Sequence, residues 1–558
     1  MHSTQGIVSG LNSWNKDGRT LIHPPGGLAR NDTAWVWWFV LWCRLPPNRL
    51  MSIQREQKRN RGCAQSKNGC IASSLATRNS SPCQPDVYFL DGKKMRYLGP
   101  DLPEDIWRHI HFLLPMQDAA RLGCVSHSFL QSWRCYPNLT FTNKTMCSKE
   151  NLRTVGWNVI RDYTHKIDCV LANHSGAGVR KFKLEYYAPC DAVSCHQLNS
   201  WLKMAVTPGI EELDFALFSK EAPFDFPCKL LSDQSQDSIQ HLRLFNCGLH
   251  PTFQLGFRSL KMLQLFKVRI TDDELGCLLS NSFALEHLQL LHCDDIIHLE
   301  IPSLLQRLKF LEVFECSNLH LIENKAPNIS RFRFGGYEEQ LSLGESLKMK
   351  NMMLHHNCAI SHAVENLPPC VPNLLSLTIC STCEKINVPV VSSKFLHLKF
   401  LSIQFIGGYF NRDYDYLFLV SYFDAAPSME KFVLYVKRQC KYESFQGDPS
   451  SLRRMPDHCH KKLKSVKITG FCPQKSMVEL TCHILKNVRS LKSLTLDPSP
   501  VNNRCSGNIL DNGCPPLETA YIREAHRTIL AIRTYIEGEV PPTVTLSVLE
   551  PCARCHAL

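Results

Sequence analysis

Residues 285–293 of this chain read LEHLQLLHC and residues 308–316 read LKFLEVFEC. Both segments place apolar residues in the order L-x-x-L-x-L and end on a cysteine three positions later. Residues 239–247 (IQHLRLFNC) repeat the whole frame, and residues 260–268 repeat it with Val268 in place of the cysteine. An alternating L-x-L centre is typical of a short β-strand that buries every second side chain.

The spacing of these copies indicates how the strands are arranged. Copies begin at residues 239, 260, 285, 308 and 329, so they are separated by 21, 25, 23 and 21 residues. Leucine-rich repeats have a period of about 20–29 residues. The sequence therefore predicts an α/β solenoid, in which each repeat adds one parallel strand to a curved sheet. Partial copies begin at Val179, Ile210, Ile329, Leu374, Leu398, Met429, Leu463 and Leu491.

The repeats become longer toward the C-terminus. After residue 398 the starts are 31, 34 and 28 residues apart, and we assign the extra length to loops at 407–416 and 439–460. Residues 522–536 have helical character, and residues 544–549 are strand-like. We therefore predict a repeat array over residues 150–500 and a C-terminal cap and tail over residues 501–558.

A short helical cluster is predicted ahead of the repeats. Pro103 suits the first position of a helix, and Ile106, Ile110 and Leu113 follow at i, i+4 and i+7, with Leu114 beside them. Pro115 ends this helix. Two more short helices are predicted at 118–123 and 126–134. So small a cluster needs a neighbour or a partner to cover its apolar stripe.

Residues 102–129 resemble the F-box motif. With its flanking residues, the resemblance covers about 40 of the 558 residues. An F-box over residues 96–142 followed by repeats is similar to the plant F-box/LRR family, especially its grass members. The C-terminal stretch from Ala525 to His556 is similar to the ending of that family. Family members often have tryptophan where Phe129 stands, and we expect Trp133 to take that role. The positions that match the motif are Leu102, Pro103, Ile106, Ile110, Leu113, Leu114, Asp118, Arg121, Val125 and Ser126.

The resemblance implies a non-catalytic receptor subunit of an SCF-type ubiquitin ligase. F-box helices dock a Skp-type adaptor, which joins the cullin scaffold and its RING subunit, while the repeats hold a protein substrate. The alternative is a repeat scaffold outside any ligase, in which the apolar stripe packs on the repeats as an ordinary amphipathic helix. By resemblance, the adaptor-binding residues are Leu102, Pro103, Ile106, Ile110, Leu113, Leu114 and Val125.

The excess positive charge belongs to the N-terminal residues. The whole chain has a formal charge of +12, and residues 1–98 contribute 14 Lys/Arg against 5 Asp/Glu. The charge therefore does not predict nucleic-acid binding by the body of the chain. Residues 1–95 have no sustained period, and we predict a disordered basic arm.

Neither a membrane span nor a secreted chain is predicted. The apolar run at 35–43 is nine residues long, and a span needs about 20. Many of the 27 cysteines recur at one position of the repeat, which favours reduced thiols over a disulfide framework. We expect the protein in the nucleus or cytoplasm.

Several short motifs have residue types that can bind a metal, a haem or an anion. Residues 552–556 (CARCH) match the haem-attachment spacing, and Cys380 and Cys383 have the C-x-x-C spacing of a half zinc site. Histidines cluster at 355–356 and 458–460, and residues 437–467 hold nine Lys/Arg against three acids, which suits an anion. We interpret these features as core, loop or tail residues, and we predict no metal, cofactor or catalytic site.

Overall fold

A computed structural model describes residues 103–125, 127–146, 157–175, 178–187, 192–218, 224–231, 237–251, 257–337, 341–343, 346–384, 393–406, 414–437, 444–453, 455, 459–499, 518–552 and 555. The predicted arm at 1–95 lies outside these residues. The described residues form two units, which divide between Glu212 and Leu213. No helix in the described ranges is both long and apolar enough to cross a membrane.

The first unit is mainly helical. Its two strands pair in parallel, with Asn138 opposite Lys181 and Phe141 opposite Leu184. Its elements are α1 (Glu104–Leu113), α2 (Met116–Leu122), α3 (His127–Arg134), β1 (Asn138–Phe141), α4 (Asn143–Met146), α5 (Trp157–Asn173), β2 (Lys181–Tyr186) and α6 (Ala192–Ala205).

The second unit is a series of parallel strands with interspersed helices. The strands are β3 (Glu212–Leu217, whose first residue belongs to the first unit), β4 (Phe224–Asp225), β5 (His241–Phe245), β6 (Cys247–Gly248), β7 (Met262–Phe266), β8 (His287–Leu291), β9 (His298–Ile301), β10 (Phe310–Phe314), β11 (Leu321–Asn324), β12 (Arg331–Gly335), β13 (Leu341–Ser342), β14 (Asn351–His356), β15 (Ser376–Ser381), β16 (Phe400–Phe405), β17 (Lys431–Val436), β18 (Ser465–Thr469), β19 (Ser493–Asp497) and β20 (Thr545–Val548). The helices are α7 (Asp272–Ser280), α8 (Ala359–Cys370), α9 (Val420–Ala425), α10 (Lys475–Asn487) and α11 (Thr519–Tyr535).

One strand per repeat enters the main sheet of this unit. Its order is β3-β5-β7-β8-β10-β12-β14-β15-β16-β17-β18-β19-β20. The register keeps the repeat frame aligned, because Leu288 faces Leu311 and Leu290 faces Val313. Leu288 and Leu290 are fully buried. The predicted solenoid with parallel strands is therefore confirmed, and its core is the stack of frame residues.

A left-handed residue follows each of four consecutive repeat strands. Asn246, Lys267, His292 and Glu315 have φ between 51° and 57°. The backbone N–H of each donates to the last carbonyl of the next strand, for example from His292 to Phe314 at 2.9 Å. A left-handed conformation costs a non-glycine residue about 1–2 kcal/mol, so this hydrogen bond offsets a real strain. The turn buries the next residue of the frame, as with the fully buried Cys293.

The C-terminal elements continue the array. The predicted helix at 522–536 is α11, and the predicted strand at 544–549 is β20, which pairs in parallel with β19. Ile529 and Ile532 of α11 are buried. The last described strand therefore shares the sheet of the repeats.

Candidate protein-docking site

Helix α1 has an outer face that is exposed and an inner face that is packed. Ile106, Ile110 and Leu113 lie along the outer face with 42%, 37% and 71% of their surface exposed. Val125, three residues after α2, is 63% exposed. We call these four residues the outer face. Burial of a large aliphatic side chain contributes about 1.5–3 kcal/mol, so these positions offer free energy to a partner.

The inner side of α1 is held by a buried histidine. His111 is fully buried, and its Nε2 lies 2.8 Å from the carbonyl oxygen of Ala119 in α2. Burial lowers the pKa of His111, which favours a neutral ring at pH 7. The buried Tyr136 donates its hydroxyl proton to the carbonyl oxygen of Leu114 at 2.6 Å. These contacts fix which side of α1 points outward.

Aromatic rings join α1 to α3. Trp107 meets Phe129 edge-on with ring centroids 5.9 Å apart, and His111 lies 5.5 Å from the same ring. Trp133 is buried and lies 5.4 Å from Tyr136. Phe129 thus packs against two rings of α1, and Trp133 packs against Tyr136.

The other predicted adaptor-binding residues lie close to the outer face. Pro103 is exposed, and its carbonyl oxygen accepts the N–H groups of Ile106 and Trp107 at 3.0 and 3.2 Å. Helix α1 begins one residue later than predicted, so Pro103 caps the helix with an extended ψ of 148°. Leu114 is half-buried, and Leu102 lies outside the described residues. The structure thus brings Pro103 and Leu114 to the ends of the exposed stripe.

A chain of polar side chains crosses the strands of the second unit, and sequence reasoning missed it. Gln264 donates to Gln289, Gln289 donates to Glu312, and Arg333 forms a 2.9 Å ion pair with Glu312. These residues occupy the central x of the L-x-L frame in β7, β8, β10 and β12. The frame alone marks that position as non-core but does not specify which polar groups pair. These four side chains therefore pair with one another across four neighbouring repeats.

The cysteine and histidine motifs are spread through the core and the surface. Cys380 is buried in β15 and Cys383 is exposed, so the two thiols of this C-x-x-C pair differ in environment.

His356 contacts His362 through their ring nitrogens at 3.3 Å, and burial lowers the pKa of His362 to about 4. Cys552 and Cys555 are half-buried, and His458 and His556 lie outside the described residues. No group of three metal-ligating side chains occurs in the part of the chain that the structure describes.

The two thiols at 380 and 383 are expected to differ in reactivity. Burial raises the pKa of Cys380 to about 12, so only about one thiol in ten thousand is ionised at pH 8. Iodoacetamide at pH 8 should alkylate Cys383 at least about a hundredfold faster than Cys380, because the thiolate is the nucleophile. Mass spectrometry of the native protein measures both rates, and urea-unfolded protein is the control. Equal native rates would show that Cys380 is not in the core.

The basic segment at 437–467 is partly neutralised by carboxylates from other parts of the chain. Arg453 donates to Asp415 at 2.5 and 2.9 Å and to Glu479 at 2.9 and 2.6 Å. Lys464 pairs with Glu430 at 2.7 Å. Arg438, Lys441 and Arg454 lie outside the described residues. Arg453 therefore serves the packing of the fold and not the capture of an anion.

Removing Arg453 is expected to destabilise the protein. The Glu479 side chain is fully buried, so Arg453→Met leaves a buried carboxylate without its cation. We expect a loss of about 2 kcal/mol, below the full cost of a broken buried pair because Arg453 is half exposed. Urea unfolding followed by circular dichroism measures it. Lys467→Met removes one exposed positive charge and is the matched control, and Arg453→Met/Glu479→Leu should recover most of the loss. Similar midpoints for both single variants would contradict the structure.

Comparison with known proteins agrees with the repeat geometry. The model of the family described as "At1g61320/AtMIF1, LRR domain" matches residues 170–553, which is more than half of the chain. The chain belongs to this leucine-rich-repeat family. The matched range covers strands β2 to β20.

Two curated Arabidopsis thaliana proteins are similar to this member of the leucine-rich-repeat family. "F-box/FBD/LRR-repeat protein At1g13570" is 27% identical over 208 residues, which are 37% of this chain and 47% of the relative. "F-box/LRR-repeat protein At3g03360" is 24% identical over 285 residues, which are 49% of this chain and 53% of the relative. The chain thus spans about half the length of each relative. Both relatives are named as F-box and LRR-repeat proteins of a plant.

Proposed function

We propose that this chain is the substrate-recognition subunit of an SCF-type ubiquitin ligase. In this proposal the outer face and its flanking Pro103 and Leu114 dock a Skp-type adaptor, which brings the cullin and RING subunits. The repeats hold a target protein for ubiquitination, and the chain itself performs no catalysis. We propose that it acts in the nucleus or cytoplasm. We also propose that it belongs with the grass members of the plant F-box/LRR family.

The observation that carries the proposal is the exposure of the outer face. Four large aliphatic side chains within about 20 residues point away from the core that His111 and Tyr136 organise. Isolated exposed leucines are ordinary, but a contiguous apolar patch marks an interaction site. The exposure of this stripe supports docking of a partner. The names of the two relatives add support from an independent direction.

Co-purification tests the proposal. The full chain, co-expressed with a plant Skp adaptor, should elute with it as a stoichiometric complex in size-exclusion chromatography. A folded chain that elutes without the adaptor would overturn the proposal and leave a repeat scaffold outside any ligase. Circular dichroism on the same fractions shows whether the chain is folded.

A further inference from the structure

A basic cavity lies at one edge of the repeat sheet. It is formed where the chain enters β10, β12, β14 and β15, and it has a volume of about 770 Å³. Arg307, Lys309, Lys348 and Lys350 line it, and among the residues that the structure describes no aspartate or glutamate does. We call this cavity, with the lining residues Leu347 and Leu375, the basic groove.

The positive charge of the basic groove is only partly neutralised. Lys309 pairs with Glu286 at 3.0 Å, and Lys348 donates to the side-chain oxygen of Asn328. Arg307 and Lys350 are exposed and have no carboxylate partner within the described ranges. Like charges around a concave surface focus the potential and attract an anion. The groove therefore favours a negatively charged ligand.

The backbone fixes the spacing of the groove. Successive lining residues form a ladder, in which Ser330 N donates to Lys309 O at 3.0 Å, Lys350 N to Ser330 O at 2.9 Å and Leu375 N to Lys350 O at 2.9 Å. Asparagine side chains brace the same turns, as Asn373 donates to the Leu347 carbonyl oxygen at 2.8 Å. The groove is thus formed before any ligand binds, which lowers the entropic cost of binding.

Apolar side chains lie among these charges. Leu347 and Leu375 line the cavity and are exposed, as is Leu396 beside the lining residue His397. A ligand that carries charge alone would leave these leucines in water. Exposed apolar residues rimmed by charge are typical of a protein-binding surface. A ligand that matches the basic groove therefore carries an apolar group as well as negative charge.

We propose that the basic groove binds an acidic peptide segment whose carboxylates pair with Arg307 and Lys350 and whose aliphatic side chains pack on Leu347 and Leu375. Arginine binds carboxylates in a two-pronged geometry that adds specificity. The lining positions of four neighbouring strands span about 15 Å, which about five extended residues cover. That the segment belongs to a ubiquitination target rests on the proposed receptor function, but the binding itself does not.

Fluorescence anisotropy tests the inference with the full chain. The probe is a labelled peptide of about ten residues made of Glu, Asp and Leu. The variant Arg307→Glu/Lys350→Glu should bind it about tenfold more weakly, because each reversal replaces an attraction to a peptide carboxylate by a repulsion. The matched control Lys486→Glu/Lys492→Glu makes the same charge change at exposed lysines near β19 and should stay within about twofold. A peptide with Gln and Asn in place of the acids should also bind at least about tenfold more weakly.

The inference is overturned if the wild-type chain does not bind the acidic peptide, or if the groove variant and its control bind it equally well. It is also overturned if inorganic phosphate displaces the probe at the same concentration as unlabelled peptide does. The last result would indicate a simple anion site. Adaptor co-purification of the wild-type chain separates this inference from the proposed function. A wild-type chain that binds the peptide but not the adaptor counts against the ligase role alone.

Discussion

Replacing Gly470 by alanine is expected to lower the free energy of unfolding by about 3 kcal/mol or more. Gly470 follows β18 with φ of 75°, a conformation that costs an alanine about 1–2 kcal/mol. A Cβ at this position would also overlap the carbonyl oxygen of Val436 on the neighbouring strand β17. Because that oxygen is backbone, relief requires the strands to separate. Urea unfolding of the full chain, followed by circular dichroism, measures the change.

Gly276→Ala is the matched control with the opposite expected sign. Gly276 lies inside helix α7, and an added Cβ meets no atom within 4 Å. Alanine is favoured over glycine in a helix by about 0.5–1 kcal/mol, so this variant should be slightly more stable than the wild type. If both alanine variants unfold at the same urea concentration, the backbone path between β18 and β19 is not the one described.

Charge on the outer face is expected to abolish adaptor binding. The double variant Ile106→Asp/Ile110→Asp removes two aliphatic side chains from the proposed interface and would bury two carboxylates there. Binding would bury the exposed part of each isoleucine, and in the variant it would desolvate two carboxylates instead, so the affinity should fall by more than about a hundredfold. Fold stability should change little, because both side chains are already partly exposed to water. Isothermal titration of the adaptor into each variant measures the affinity.

A matched pair of exposed apolar residues in the second unit supplies the control. Phe283 and Leu530 are 49% and 65% exposed, and Phe283→Asp/Leu530→Asp makes the same kind of change away from the outer face. This variant should bind the adaptor within about twofold of the wild type. Equal loss in both double variants would mean that adaptor binding, where it occurs, does not use α1.

The repeat frame was predictable wherever aliphatic residues fill it, because only the spacing of buried positions was needed. Two strands that carry the repeat frame escaped this reasoning. Strand β14 has Met349, Met352 and Leu354 at its frame positions, and β1 has Tyr136, Leu139 and Phe141. These residues are all buried. Methionine and aromatic side chains fill the same core space as leucine, so a search for aliphatic residues passed over them.

The candidate sites were predictable to different degrees. The outer face follows from the i, i+4, i+7 spacing of Ile106, Ile110 and Leu113, which places them together on any helix. The inner contacts of His111 and Tyr136 depend on how three helices meet, and no local pattern encodes that. The basic groove joins Arg307 to Lys350 across 43 positions of sequence. Such a site becomes visible only when the register of the repeats is known.

Hydrogen exchange of the full chain, measured with and without the adaptor, shows whether docking uses the outer face. We expect slower exchange on binding at the backbone amides of α1 and of the turn before Val125. Amides of the repeat strands β8, β10 and β12 should exchange at unchanged rates and serve as an internal reference. Protection confined to the repeat strands, or none in a mixture where the chain is folded, would contradict docking through the outer face.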